Sequence, residues 1–361
     1  MDTFENEKVK DTDVVKCKQC GADMRYSIKA GALKCAHCGS IQPVDNEGGI
    51  VRREITNEII SSRADWNQSA VFRCDSCGAR VDMDKGEIVK KCPFCMSSNI
   101  LKSDELCGIQ PDSVVPFTVA KKDAGQLFKK WLGGKFYVPG KCKKMAHAEN
   151  VNGLYFPTWS FSADTRNAYN GMLGEDYEET STDSDGNTTT TTHTRWFRVS
   201  GNMNASYRDF LVPSGKLVSG SVIKQLGQYP IAAAKSYKQE YLVGRSAEHY
   251  SRDINVCFGE FGNYIYSDLC ERIRMFHRAD HVGRMNINVT YDNKQYNYVL
   301  LPAYIANFSY KRKNYNFYVN GATGKIVGKY PVSGLKIFFT VLGIMAAVVA
   351  AAVGALALLP R

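Results

Sequence analysis

Apolar residues recur along most of this chain in short alternating or helical patterns, and the last stretch breaks that rhythm. From Ile337 to Leu359 there are 23 consecutive residues without a charge. At about 1.5 Å of rise per residue such a helix spans roughly 34 Å, enough to cross a hydrocarbon core of about 30 Å. A buried core helix is the competing reading, but core helices of this length keep a polar face. Upstream, Val114–Thr118 reads as a short strand and Ala120–Leu132 as an amphipathic helix with Leu127, Phe128, Trp131 and Leu132 inward, ended by Gly133-Gly134. Gly153–Phe161 reads as a strand whose Pro157 marks an edge or a bulge. Asn170–Tyr177 and Thr190–Val199 read as a hairpin around Asp183-Ser-Asp185-Gly186-Asn187, where Asp-Gly is a type I′ turn signal. A helix follows over Asn263–Arg278, with Ile265, Leu269, Ile273 and Phe276 on one face, then strands over Met285–Tyr291, Tyr298–Phe308 and Tyr315–Asn320.

Two echoes suggest related halves. Leu154-Tyr-Phe-Pro-Thr-Trp-Ser-Phe161 matches the run from Tyr298 to Phe308 as an apolar pair, Pro, small residue, aromatic; Leu211-Val-Pro213 echoes Val115-Pro116. The fold class expected is α+β: two small zinc ribbons of four cysteines each, a mixed α+β domain in which two related halves are suspected, and a C-terminal transmembrane helix. The divisions expected are a disordered tail at 1–14, ribbons at 15–43 and 71–106, a linker at 44–70 with a short helix near Arg53–Arg63, the α+β domain at 107–332 and a membrane tail at 333–361.

The ribbons rest on spacing. Cys17-Lys-Gln-Cys20-Gly21 and Cys35-Ala-His-Cys38-Gly39 are separated by 14 residues, and Cys74-Asp-Ser-Cys77-Gly78 and Cys92-Pro-Phe-Cys95 repeat that interval. A CxxC turn puts two sulfurs on one side of a tight loop, and two such knuckles close a tetrahedral four-thiolate site. Four protein ligands leave no position for water, so two structural zinc ions are expected. In a unit of about 30 residues, metal binding would supply most of the folding free energy, on the order of 10 kcal/mol or more. His37 lies inside a knuckle whose four thiols already complete the site, and is expected to be solvated.

Net charge is +10, which favours an anionic partner, nucleic acid or phospholipid. From Asn293 to Arg361 there are eight Lys or Arg and no Asp or Glu. Lys325, Lys329 and Lys336 precede the apolar run, where the positive-inside rule places the cytoplasmic side and anionic headgroups attract them. Thiolate ligands also persist best in a reducing compartment. The chain opens MDTFENEKVK, without the apolar core of a signal peptide. Localisation is therefore expected at a bacterial cytoplasmic membrane, single-pass, with the bulk of the chain in the cytoplasm.

Catalytic motifs are not evident. Gly134 and Gly140-Lys141 are one residue too far apart for a P-loop, and Cys142 stands where Ser or Thr is needed. The Asp pair near residue 185 lacks the downstream Glu of a calcium loop. Cys107, Cys142, Cys257 and Cys270 have no CxxC partner and read as buried free thiols. The expectation is a protein that is not an enzyme. Within the apolar run, Gly343, Ala347, Ala351 and Ala355 recur every four residues, a spacing at which helix backbones pack closely, although Ala is also plain apolar filler.

The stretches from Val115 to Leu132, Gly153 to Thr165, Leu301-Pro302 and Tyr318-Val-Asn-Gly-Ala-Thr-Gly324, with the cysteine pairs, resemble a bacterial family of zinc-ribbon proteins with a C-terminal membrane anchor. Its members are often labelled as related to the primosomal helicase, a label that the lack of a nucleotide-binding motif does not support here. Some members resemble the membrane-anchor component that accompanies phage-shock-protein-A-like coat proteins. The resemblance implies a cytoplasm-facing membrane anchor or scaffold in envelope stress, with a membrane protein or such a coat protein as partner and anionic lipid headgroups beneath it. Nucleic-acid binding by the ribbons, through residues such as Arg25, Tyr26, Phe72 and Arg73, is the alternative.

Overall fold

The computed structural model describes residues 15–22, 24–44, 49–56, 70–74, 80–83, 100–103, 110–145, 151–182, 184, 186–215, 218–242, 246–311 and 313–357, with the strands between 70 and 103 given by their backbone. In chain order, β1 (Met24–Ser27), β2 (Ala32–Cys35) and β3 (Ile41–Gln42) form a small antiparallel sheet. A larger sheet then takes β4 (Arg53–Glu54), β5 (Ala70–Cys74), β6 (Arg80–Met83), β7 (Ile100–Ser103) and β8 (Ser113–Val114). Helices α1 (Lys121–Gly133) and α2 (Gly140–Met145) lead to two long strands, β9 (Val151–Thr182) and β10 (Thr188–Pro213). After α3 (Gly220–Leu226) come β11 (Lys235–Ser236), β12 (Ser246–Glu248), α4 (Ile254–Phe276), β13 (His281–Tyr310), β14 (Lys313–Asn320), β15 (Ile326–Gly328) and α5 (Gly334–Ala357). The chain is a mixed α+β protein.

Strands β9 and β13 pair antiparallel at the centre, from Val151↔Ala306 to Gly174↔His281. Both faces of this centre are covered. Tyr155, Trp159 and Phe161 of β9, with Tyr298, Leu300 and Tyr304 of β13, meet α1 and α4 on one side. The alternate residues Leu154, Phe156, Val299, Leu301 and Ile305 meet α3 and the segment around Tyr229 and Ile231 on the other. Burial on two sides explains why these strands read as unbroken apolar runs rather than as polar-apolar alternation.

The suspected halves have a structural counterpart in the strand register. β8 lies parallel to β13 with Ser113 opposite Val299, and β12 lies parallel to β9 with Ser246 opposite Leu154. Each short strand thus flanks the long strand of the other half. α1 begins eight residues after Ser113 and α4 eight residues after Ser246. Phe156 and Leu301, which occupy equivalent places in the two motifs, sit directly opposite one another, so an approximate two-fold axis passes between them. The Leu211–Pro213 echo does not belong to this repeat, because it closes β10 whereas Val115-Pro116 follows β8.

Pro157 lies neither at a sheet edge nor in a bulge. It pairs with Leu300, at the seam where β12 gives way to β10 on the other flank of β9. Its carbonyl accepts from Ser214 N at 3.0 Å, and the equivalent Pro302 carbonyl accepts from Gly321 N at 2.9 Å. A strand residue points its N and its C=O to the same side, so each ring nitrogen faces the seam and the β9–β13 ladder loses no donor.

Several expectations need correction. Arg53–Glu54 is a strand paired with Gln295 and Tyr296, so the helix expected from Arg53 does not begin there; residues 57–69 lie outside those described. α4 begins at Ile254, earlier than the pattern suggested, because Cys257 and Phe261 extend the buried stripe of Ile265, Leu269 and Ile273 past Gly259 and Gly262. Phe276, expected inward, ends the helix and is exposed. Leu127 lies at the rim of α1, whose buried residues are Ala124, Gly125, Phe128 and Leu132. The hairpin loop spans residues 183–187, between the Thr182↔Thr188 pair, and is longer than the two-residue turn that Asp-Gly specifies. Beyond Gly174 only β10 accompanies β9, and the eight pairs from Glu175↔Arg195 to Thr182↔Thr188 form an exposed ribbon roughly 27 Å long.

Phe261 is fully buried against Phe161, Tyr207, Phe210 and Phe258, so Phe261→Ala is expected to cost about 3–5 kcal/mol in urea unfolding of the detergent-solubilised chain. Val256→Ala, at an exposed position of the same helix, should stay within about 0.5 kcal/mol of the parent.

Candidate metal centre and apolar helix

The two knuckles of the first cysteine quartet are built alike. Gly21 N donates to the Cys17 carbonyl at 2.9 Å, and Gly39 N to the Cys35 carbonyl at 3.2 Å. Each turn then needs a left-handed residue, and Gly21 (φ 72°) and Gly39 (φ 75°) supply it without a Cβ penalty. β1 and β2 pair with Met24 opposite Cys35, which sets the second knuckle beside the first.

The four Sγ atoms of Cys17, Cys20, Cys35 and Cys38 lie within 4.8 Å of one another. Cys17 and Cys38 Sγ are 3.5 Å apart, as are Cys20 and Cys35 Sγ. Four sulfurs at about 2.3 Å from a tetrahedral ion stand roughly 3.8 Å from each other, so the group fits one metal ion. Cys17 and Cys35 are buried, and Cys20 and Cys38 face solvent. His37 is exposed and outside the quartet.

The surroundings favour thiolate at two of the sulfurs. The Ser40 hydroxyl lies 2.9 Å from Cys17 Sγ and 3.2 Å from Cys38 Sγ. Its hydrogen bond is the largest influence lowering both thiols, and Cys17 falls to about 6. At Cys20 the Ala22 backbone hydrogen bond lowers the pKa, but Cys38, burial, Cys35 and Cys17 together outweigh it and push it up to about 12. Crowded sulfurs cannot all ionise unless a cation offsets their charge, and that is the condition a bound metal satisfies.

This first cysteine unit is packed onto the rest of the chain. Tyr26 of β1 meets Tyr241 at a tilt with ring centres 5.1 Å apart, and Ile28 and Val44 also border the main core. Of the second quartet, Cys74 ends β5, which pairs with β6 and β7, and β6 extends the large sheet through β12. Cys77, Cys92 and Cys95 lie outside the described residues. Among the remaining cysteines, Cys142 and Cys257 are buried, Cys270 is half-buried and Cys107 lies outside the described residues. Burial raises the Cys142 and Cys257 thiols, the latter to about 11, so both stay protonated and unreactive.

At the other end of the chain, α5 is the one helix among the described residues long and apolar enough to cross a membrane. None of the Gly334–Ala351 window is buried, with Leu335, Phe338, Phe339, Ile344, Met345, Val348 and Val349 all at least 59% exposed. A core helix would bury these side chains. Gly343, Ala347 and Ala351 are exposed on α5, and Ala355 follows them in the same helix.

One feature had no signal in the sequence. An open depression of about 830 Å³ lies where β9, β10 and β13 run side by side, with Arg198 and Arg284 set among Asn170, Ser200 and Asn286. Neither arginine is paired with a carboxylate among the described residues. The lining residues come from the β9–β10 hairpin and from β13 much later in the chain, and the register of β13 against β9 completes the depression.

Cys20→Ser in the full chain is expected to remove one metal equivalent in elemental analysis by mass spectrometry. Ser40→Ala, which leaves all four sulfurs in place, should keep it. Unchanged metal content in Cys20→Ser would count against the quartet as a site.

Comparisons with known proteins identify no matching family and no matching solved structure. The chain is similar to the uncharacterized protein YdjG of Bacillus subtilis strain 168, at 27% identity over 333 residues, covering 89% of this chain and 91% of that protein.

Proposed function

We propose that this protein is a non-enzymatic membrane anchor and scaffold, held in the bacterial cytoplasmic membrane by α5 with the remainder in the cytoplasm. The observation that carries the reading is an apolar helix 24 residues long that leaves the folded domain with none of its first 18 residues buried. A helix of 24 residues is about 36 Å long, which matches a hydrocarbon core of about 30 Å with modest tilt. The metal is zinc, in keeping with four thiolates and no open position, and the second quartet of Cys74, Cys77, Cys92 and Cys95 holds a second structural ion. Lys325, Lys329 and Lys336 place the basic side of the domain toward anionic headgroups. Gly343, Ala347, Ala351 and Ala355 form the stripe through which α5 packs on a membrane partner. The resemblance set out above makes a phage-shock-protein-A-like coat protein the cytoplasmic partner, and envelope stress the setting.

A second reading draws on the depression between Arg198 and Arg284, whose two unpaired guanidiniums among amides suit a phosphate backbone. It makes the chain a membrane-tethered nucleic-acid-binding protein.

Val348→Arg puts a charge at the middle of the uncharged run at a cost of about 3 kcal/mol for insertion. The variant should shift from the alkali-resistant membrane pellet toward the supernatant. Continued full retention in the pellet would show that α5 does not hold the protein there. For the scaffold role, the full chain is captured from native membranes in mild detergent, with half of the sample treated with nuclease. A stoichiometric membrane or coat protein that survives nuclease, and is reduced in Ala351→Leu, is the expected result. Partners that vanish with nuclease, with binding that falls steeply as salt rises, would favour the second reading instead.

A further inference from the structure

The loop between α1 and α2 is fastened to the start of α5. Ser333 N donates to the Tyr137 carbonyl at 2.8 Å. Lys336 Nζ donates to the carbonyls of Phe136 at 2.7 Å and Val138 at 3.0 Å, and it also lies 5.3 Å from the centre of the Phe136 ring. Behind the loop, Val138 and Cys142 are fully buried, and Trp131 packs edge-on to Tyr330 with ring centres 5.7 Å apart. The loop is thus held by both its neighbours, yet its two aromatic residues point outward: Phe136 is 66% exposed and Tyr137 36%. Seating these rings in a partner would remove their apolar surface from water.

Position identifies that partner. Lys336 directly precedes the charge-free run at Ile337, so the Phe136 backbone lies within about one helical turn of the level at which α5 becomes wholly apolar. That level is the headgroup layer if α5 spans a bilayer, and amphipathic or aromatic side chains with flanking lysines are the residues that settle there. The charge agrees. Lys129, Lys130, Lys135, Lys141 and Lys143 lie in or beside the loop along the chain, and no Asp or Glu occurs between Ala124 and Met145. Lys135 Nζ rests 5.2 Å from the Trp131 ring centre, and Lys143 Nζ donates to the Gly133 carbonyl, so part of this charge is held in place rather than free on long stems.

We infer that the α1–α2 loop, with Phe136 and Tyr137 at its apex and lysines around it, is a second membrane contact seated in an anionic headgroup layer beside α5. It fixes the domain against the bilayer, where a single span would leave it free to swivel. The inference rests on the reading of α5 as a membrane span, and its test separates the two. The photo-crosslinking residue benzoylphenylalanine is introduced in the full-length protein at Phe136, at Leu342 within α5, or at Thr192 in the distal hairpin. Each protein is reconstituted in vesicles of equal parts phosphatidylglycerol and phosphatidylcholine, irradiated and analysed by mass spectrometry. Lipid adducts are expected at positions 136 and 342 and not at 192. Replacing phosphatidylglycerol by phosphatidylcholine should reduce the adduct at 136 severalfold and leave that at 342 unchanged. Adducts at 342 with none at 136, or adducts at 136 to a second copy of the chain, would overturn the inference and leave the span intact. An adduct at 136 indifferent to anionic lipid would overturn the headgroup assignment. Loss of the adduct at 342 would remove the span, and the inference with it.

Discussion

Everything in the α+β domain depends on the register of β9 against β13. Side chains on a strand alternate between faces, so a slip by one residue would carry Tyr155, Trp159 and Phe161 to the face of α3 and bring Leu154 and Phe156 under α1 and α4. Both faces are buried at this point, and the two sets differ in volume: large aromatics on one side, mainly aliphatic residues and a single Phe on the other. Neither set fills the space of the other, and close packing penalises voids and overlaps alike. The pairing of Phe156 with Leu301 is therefore held by packing as well as by backbone hydrogen bonds.

The same register carries the arrangement of the flanks. Because each short strand, β8 and β12, lies against the long strand of the other half, neither half has a complete sheet by itself. The helix that follows each short strand packs on the shared face, so the halves bury a joint core rather than two separate ones. Two cysteine-bearing segments are attached at the margins of this unit by different means. The first is joined through aromatic contact at Tyr26 and Tyr241, and the strands around the second by continuation of the large sheet through β6 and β12. Arg53 adds an ion pair at 2.5 Å to the buried Asp112, whose carboxyl is raised chiefly by burial despite the Tyr298 amide and this guanidinium.

Two parts of the molecule obey other constraints. In the cysteine knuckles the local geometry is set by CxxC spacing and two left-handed glycines, over distances of a few residues. In α5 it is decided by length and apolarity, and the helix takes nothing from the core. Between them, the turn that joins α1 to α2 couples the domain to the base of α5 through backbone carbonyls, so the orientation of the helix is tied to the position of α1 on the sheet.

Features whose physics is local were legible in the chain. The first cysteine quartet follows from CxxC spacing, the apolar helix from an uncharged run, and α1 and the C-terminal part of α4 from i, i+4 stripes. Tertiary structure decided what depends on partners distant in the chain. Gly259 and Gly262 stay helical because Cys257 and Phe261 face the sheet, and Arg53–Glu54 becomes a strand because β13 offers it an edge. Pro157 is accommodated inside a sheet because its nitrogen faces a seam. Arg198 and Arg284 line one depression only through the pairing of β13 with the β9–β10 hairpin. Local propensity is a sum over neighbours in the chain, whereas burial and register are set by surfaces that exist only after the chain has folded.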